Sequence, residues 1–417
     1  MNTIVSATNL TEGSSIQVRV TAVNVQGSSI PSDLNTIAVK VRPHAPTATP
    51  TRNALTSQTQ LVVDFGPLDP LNNGGSVVTS YILEMLVGVT WTNVIGGTVD
   101  NPSTYVATAT APTFTIISGE TYTFRWSARN IYGTSDPSPT VGILAASVPG
   151  TPSATILSVL ANGNLQITWA DPLDTGGTGV VITDNIVTII KKDGTYVEDT
   201  SLCDGSIEPA LSSRSCEVPF SSLLLDPFLL TQGDLVKAKV QVKNVIGWSN
   251  FSPIVLDVDA KGVQVVPLKP NAPTRGSGTN STQIVVDWTA VSTLNNGGTA
   301  ITSYGLQFDQ GNSTWTQLTG SSTDYLALTY THTASVVVGT TYSFNLRAKN
   351  VQGWSPYSDA TQITAASVPD DILTAVTTSL SGTKVMFTWD IPFNGGLAIG
   401  SYTVQFVGTS INSTSAE

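Results

Sequence analysis

The stretch of residues 341–355, TYSFNLRAKNVQGWS, constrains the fold most, because three variants of it occur earlier in the chain. In each copy the residues two, four, six and eight positions before a shared Asn are apolar, and most residues between them are polar. This alternation predicts a strand with one buried face. A Gly follows three positions after each Asn, where a hairpin turn needs a residue that tolerates positive φ. The Asn and Gly positions of the four copies are Asn24 and Gly27, Asn130 and Gly133, Asn244 and Gly247, and Asn350 and Gly353.

The four Asn residues are 106, 114 and 106 positions apart, which is the length of a small domain rather than of a solenoid repeat. The 417 residues therefore predict four domain equivalents that are out of phase with the ends of the sequence. We divide the chain into an N-terminal segment (1–43, the second half of a unit), a second unit (44–149), a third unit (150–266), a fourth unit (267–369) and a C-terminal segment (370–417, the first half of a unit).

Other marks recur in the same order within each unit. An aromatic residue ends an early alternating strand, a Gly pair follows, and a further strand comes next, which is typical of a β-sandwich of short strands. The aromatic residues are Phe65, Trp169, Trp288 and Trp389, the Gly pairs begin at Gly74, Gly176, Gly297 and Gly395, and the next strand carries Tyr81, Tyr304 and Tyr402. A Ser-x-x-Ser pattern such as Ser355 to Ser358 closes the unit.

These marks resemble the fibronectin type III domain over nearly the whole chain. The resemblance implies an all-β fold, a tandem array of fibronectin type III-like β-sandwiches that forms an elongated rod. It also implies that Tyr122 and Tyr342 form a tyrosine corner, whose hydroxyl bonds to backbone while the ring packs inside. Ile16 and Val236 stand at that position in the other copies, and Asn185 replaces the Tyr of the third unit. The lengthened third unit resembles a variant found in large repetitive surface proteins of ciliated protists.

The composition argues against several classes of function. Charged residues make up only 11% and the net charge is −11, so the chain offers no basic surface for nucleic acid. Its apolar runs are too short and interrupted for membrane insertion, and residues 1–6 lack the features of a secretion signal.

The two cysteines, Cys203 and Cys216, lie in the insertion that lengthens the third unit. A disulfide between them would close a loop of a size that stabilises the folded state by about 3 kcal/mol in the chain-entropy model. Two cysteines are too few for a zinc site, whereas two free core thiols are the alternative. The disulfide is the prediction that we favour, and it implies an oxidising compartment.

Five Asn-x-Ser/Thr sequons are candidate N-glycosylation sites, and each falls at a turn or near a strand end in the repeat alignment. They are Asn9, Asn250, Asn280, Asn312 and Asn412. In a secreted protein we expect at least two of them to carry glycan.

The sequence offers little for catalysis, because its two histidines, His44 and His332, lie in different units and no His-Cys or His-Asp cluster repeats. We therefore expect no enzyme activity, no cofactor and no dedicated metal site. Acidic residues near the Gly pairs could bind calcium at a unit junction, but solvated turn residues are the favoured interpretation. These residues are Asp69, Asp171, Asp174 and Asp390.

The predicted function is that of an extracellular or cell-surface structural protein, with itself, other surface or matrix proteins, or glycans as partners. One alternative is the ligand-binding ectodomain of an adhesion protein or receptor. The two end segments supply complementary halves of one sandwich, so the tail of one subunit could complete the head of the next and generate a filament. An excerpt from a longer covalent array is the other interpretation. Under both, Trp389 and Tyr402 should pack against Ile16, Val18 and Val20 of a neighbouring copy or of a continuing chain.

Overall fold

The structure is a computed structural model, which describes residues 10–405 and the backbone of residues 414–416. Almost all of its regular elements are strands, and the strand pairs are antiparallel throughout the described ladders. Three clusters of buried apolar side chains occur among these residues, one in the second, one in the third and one in the fourth unit.

The N-terminal segment contains two short hairpins. Strand β1 pairs with β4, and β2 pairs with β3 across the turn at Gly27. Their bounds are β1 Ser15–Val18, β2 Val23–Asn24, β3 Gly27–Ser28 and β4 Asn35–Ala38.

The second unit is a sandwich of two sheets. Its elements are β5 Thr51–Arg52, β6 Gln60–Asp64, a 3-10 helix Pro70–Asn72, β7 Ser80–Val87, β8 Thr90–Ile95, β9 Val106–Thr110, β10 Thr121–Asn130, β11 Gly133–Thr134 and β12 Val141–Leu144. One sheet has the order β5-β6-β9, and the other has the order β11-β10-β7-β8 with β12 also on β10. The core takes side chains from both sheets, for example Leu61 and Phe124, because alternate residues of each strand face inward.

The third unit follows the same plan with an insertion. Its elements are β13 Ile156–Val159, β14 Leu165–Thr168, β15 Asp184–Ile190, β16 Tyr196–Glu198, α1 Ala210–Ser213, β17 Ser215–Val218, α2 Phe220–Leu223, β18 Leu235–Val236, β19 Ala238–Lys243 and β20 Lys261–Gly262. The sheets are β13-β14-β17, β16-β15-β19 and β18-β20. Asn185, which replaces the Tyr of the other units, is fully buried and donates to the carbonyl of Gly205 in the insertion.

The fourth unit repeats the second. Its strands are β21 Thr274–Arg275, β22 Ile284–Asp287, β23 Ser303–Phe308, β24 Thr316–Gln317, β25 Thr329–His332, β26 Thr341–Asn350, β27 Gly353–Trp354 and β28 Thr361–Thr364. They form the sheets β21-β22-β25 and β24-β23-β26-β27, with β28 on β26. The C-terminal segment contains β29 Thr377–Ser381 paired with β30 Lys384–Thr388, and β31 Thr403–Gln405 paired with β32 Thr414–Ala416.

The repeated strand has the predicted alternation where the unit is complete. Along β26 every second residue from Tyr342 to Asn350 is buried. Gly353 has a φ of 129°, which confirms the need for glycine in the turn. Two copies are less regular than predicted: β18 and β19 are separated at Lys237, and β1 and β2 are separated by residues 19–22.

The Ser-x-x-Ser segment is not a strand, but its serine side chains hydrogen-bond to the neighbouring repeated strand. Ser355 and Ser358 accept from the backbone N–H of Ala348 and Leu346 through Oγ, and their own N–H groups donate to the carbonyls of the same two residues. The serine pairs 29 and 32, 135 and 138, and 249 and 252 make equivalent contacts. This edge contains prolines that cannot donate to a ladder, so the serine hydroxyls supply the missing pairing.

Candidate functional site

In each of the three complete units, the Asn at the end of the repeated strand holds two separate backbone segments together. Its side-chain amide donates to a carbonyl in the connection that enters the unit and to the carbonyl before the Gly pair. Asn130 donates to Val41 and Asn73 at 2.8 and 2.9 Å, Asn244 to Ser147 and Thr175 at 2.8 Å each, and Asn350 to Val265 and Asn296 at 2.7 and 2.8 Å. We call this arrangement the asparagine clasp.

The other polar atoms of the clasp are also hydrogen-bonded. Asn350 Oδ1 accepts from the backbone N–H of Gln352, 2.8 Å away, and Val265 N donates to Gly297 O at 2.9 Å. Gly297 has positive φ, and a Cβ there would collide with the carbonyl of Val265. The close approach therefore requires glycine, and the buried Asn is satisfied at both ends of its side chain.

The clasp acts at the junctions between units, because Val41, Ser147 and Val265 follow the last strand of the preceding unit. Further contacts cross two of these junctions. Gln58 donates to the carboxylate of Asp174 at 2.9 Å, and Gln352 donates to the carbonyl of Gly163 at 2.6 Å. Each junction is thus held by hydrogen bonds as well as by short connections.

The two end segments expose the apolar positions that the complete units bury. Val20 is 68% exposed, whereas its equivalent Leu346 in the fourth unit is fully buried. Val385, on β30, is 51% exposed, and its equivalent Ile284 is also fully buried. In the described part of the chain these apolar positions lie on open sheet faces.

The residues predicted to complete each other lie in these two segments. Ile16 and Val18 are on β1 and Val20 follows it, while Trp389 and Tyr402 flank the loop between β30 and β31. The rings of Trp389 and Tyr402 are 5.2 Å apart and edge-on, which corresponds to the 6.1 Å pair of Trp288 and Tyr304. In the described part of the chain, the ladders of β1 and β31 join them to β4 and β32 respectively and not to each other.

The two cysteines form a disulfide, with their Cα atoms 5.5 Å apart. Cys203 is buried in the insertion, but Cys216 lies on β17 and pairs with Ile167 of the first sheet. The placement of both cysteines inside the inserted loop was therefore wrong for Cys216. The bond ties the insertion to the sandwich rather than to itself.

A surface pocket of about 400 Å³ adjoins the disulfide and has an acidic lining. Its carboxylates are already engaged: Asp204 accepts from Ser206, Glu208 from Ser212, and Glu217 from Asn162 and Asn164. These contacts lower the pKa of Asp204 and of Glu217. The carboxylates of the pocket therefore hold neighbouring parts of the third unit together.

Three of the five sequons lie in the described residues, and Asn9 and Asn412 lie outside them. Asn250 and Asn312 are exposed, and Asn280 is half-buried in a turn where its Oδ1 accepts from Thr282. Glycosylation of these sites stays a prediction.

Three of the four acidic residues near the Gly pairs have structural partners: Asp174 accepts from Gln58 and from Gly176 N, whereas Asp390 is exposed. Asp69 caps the 3-10 helix through Leu71 N, and Asp171 pairs with Arg214. Among residues 10–405 no group of three His, Cys, Asp or Glu side chains is suited to a metal ion. Every helix in this range is also too short or too polar to cross a bilayer.

The tyrosine corner is present in the two complete units that have the Tyr. The hydroxyl of Tyr342 accepts from Val337 N at 2.8 Å and contacts the carbonyl of Ser335. Tyr122 makes the same pair of contacts with Ile117 and Thr115.

The family model of the fibronectin type III domain matches residues 269–364. This part of the chain is a fibronectin type III domain. The second unit shares its sheet order and its clasp, and the third unit shares the clasp and a sandwich of two three-stranded sheets with an additional strand pair. The chain is therefore a tandem array of fibronectin type III-like sandwiches.

Several proteins are similar in sequence. Chicken (Gallus gallus) fibronectin type-III domain-containing protein 3a is 26% identical over 69% of this chain, which spans 22% of that relative's length. The human (Homo sapiens) fibronectin type-III domain-containing protein 3A is 34% identical over 18% of the chain and 6% of its own length. These vertebrate relatives do not test the resemblance to ciliate surface proteins.

Among solved structures, the three fibronectin domains FN1–FN3 of chicken CNTN1 are similar at 15% identity. The alignment covers 78% of this chain and 99% of the other, with a TM-score of 0.27.

The clasp is the feature that the sequence reasoning missed. The recurrent Asn and Gly pair were recognised as markers of a strand and a turn, but their contact with each other was not predicted. Their constant order in every unit was the available signal. The acceptors are backbone carbonyls, which residue identity does not reveal.

Proposed function

We propose that the protein is an extracellular structural protein whose end segments complete a composite fibronectin type III domain between successive subunits. The observation that carries this proposal is the exposure of equivalent core positions in both segments, for example Val20 and Val385. Together the described residues of the two segments present counterparts of β22–β24 and of β26–β28 of the fourth unit. The disulfide between Cys203 and Cys216 is compatible with an extracellular or cell-surface location.

The complete units supply a register for the composite domain. In the fourth unit Gly305 pairs with Arg347, and in the second unit Ile82 pairs with Ser127 at the same positions. The same register would place Thr403 of one subunit opposite Thr21 of the next. Because the resulting contact runs from head to tail, it can repeat without closing and so produce a filament.

Cysteine crosslinking of the 417-residue chain tests this register. Partners in an antiparallel pair lie at Cα distances of about 4.5–5.5 Å, which a disulfide can span. The double variant Thr21→Cys with Thr403→Cys should therefore give a ladder of multimers on a non-reducing gel. The control Arg19→Cys with Thr403→Cys is displaced by two residues on the same face and should crosslink much less.

The outcomes separate the alternatives. A monomer that shows no concentration-dependent association contradicts the filament and leaves the ligand-binding ectodomain as the better hypothesis. Equal ladders from both variants would mean that association does not use this register. In a longer native array the same contacts would form within one chain. The crosslink reports the pairing of residues 21 and 403 in either case.

A further inference from the structure

The N-terminal segment contains one half of an asparagine clasp. Asn24 occupies the position of Asn130, Asn244 and Asn350, and its Oδ1 already accepts from Gln26 N at 2.9 Å, as in the complete units. Its side chain is exposed, and its Nδ2 has no acceptor among residues 10–405. The two donors that elsewhere hold a junction are therefore presented to solvent.

The C-terminal segment contains the other half. Ser367 N donates to Gly395 O at 2.9 Å, which matches the pairing of Val265 with Gly297. Gly395 is buried with a φ of +69°, and a Cβ there would collide with the Ser367 carbonyl, as at Gly297. The backbone thus aligns the carbonyls of Ser367 and Asn394 as it does at the other junctions. In the described part of the chain neither carbonyl receives a side-chain donor.

We infer that Asn24 of one subunit donates to the carbonyls of Ser367 and Asn394 in a second copy of this chain. The inference rests on the proposed function and adds the polar contact that selects the correct partner end. An apolar sheet face is tolerant of alternative partners, whereas an amide facing two fixed carbonyls imposes one register and one direction. The partner recognised by this site is another copy of the chain, through its C-terminal segment.

The clasp would also carry the junction geometry across the subunit boundary. Ser367 follows the last strand of the fourth unit, as Val265 follows that of the third unit. A clasp completed there would hold the composite domain against the fourth unit in the same way as the third unit's exit is held by Asn350.

Sedimentation equilibrium of the full chain and of Asn24→Asp tests the inference. The Asp keeps the acceptor for Gln26 but removes both donors and faces two carbonyl oxygens. The loss of two hydrogen bonds should raise the dissociation constant for head-to-tail association about 100-fold. The matched control is Asn312→Asp, an exposed Asn whose Oδ1 accepts from Thr314 and which lies outside both end segments.

A second reference is Asn350→Asp, which breaks the same contact within one chain. It should lower the thermal stability of the fourth unit and leave the dissociation constant nearly unchanged. If the wild-type chain associates and Asn24→Asp associates equally well, the clasp is overturned and the filament stands. If the wild-type chain remains a monomer, the proposed function fails, and the clasp fails with it.

Discussion

The hydroxyl of Tyr342 accepts a 2.8 Å hydrogen bond from the backbone N–H of Val337, five residues earlier in the chain. The ring of Tyr342 packs in the core of the fourth unit, so one side chain joins the core to the loop before β26.

Tyr342→Phe should keep the packing and lose the hydrogen bond. We expect a cost of about 1 kcal/mol, or about 4–8 °C in the unfolding midpoint of the fourth unit. Calorimetry of the full chain measures it, with Tyr132→Phe as control because Tyr132 is half exposed and its hydroxyl has no partner among the described residues. Equal midpoints for both variants would contradict a stabilising corner.

Trp288→Ala should remove most of the stability of the fourth unit. Trp288 is buried against Tyr304 and Tyr325, and its indole N–H has no hydrogen-bond partner among the described residues, so its contribution comes from packing. The expected cost is about 3–5 kcal/mol, comparable with the total stability of a small domain. Limited proteolysis should then cut this unit first. Trp315→Ala, at an exposed Trp, is the control, and resistance of both variants to cleavage would show that the core assignment is wrong.

The fourth unit should lose stability in mild acid because of His332. This side chain is buried beside Phe308, at a ring distance of 4.5 Å, and burial lowers its pKa. The unfolded chain therefore binds a proton at a higher pH than the folded unit does. Stability is fully present above about pH 6.5 and falls below it, by at most about 1.4 kcal/mol per pH unit. Urea midpoints at pH 7.5 and 5.5 measure the change, and His332→Gln should reduce it.

Reduction of the disulfide should destabilise the third unit alone. The chain-entropy model gives about 3 kcal/mol for a loop of this size. The double variant Cys203→Ser with Cys216→Ser should lower the unfolding temperature of the third unit. The unfolding temperatures of the other units should stay unchanged. Intact mass after alkylation without reductant provides the direct check. Two alkylated thiols in the native protein would contradict the disulfide.

The sequence predicted the features that depend on which side of a strand is buried. Tyr342 to Asn350 alternate as expected, and Trp288 lies in the core, because burial imposes a period of two on side-chain chemistry. The clasp could not be read in this way, since half of it consists of carbonyl groups that every residue carries. The position of Cys216 on β17 was missed because the insertion begins after β16 and returns to the sheet earlier than length alone suggests.

The clasp also has a mechanical consequence. Asn350 connects the exit of one unit to the interior of the next, so a pulling force along the chain reaches its two hydrogen bonds before it reaches the core strands. Under tension the junctions should open one at a time and lengthen the chain while each sandwich remains folded. The array would then lengthen first at the junctions between units, before any sandwich unfolds.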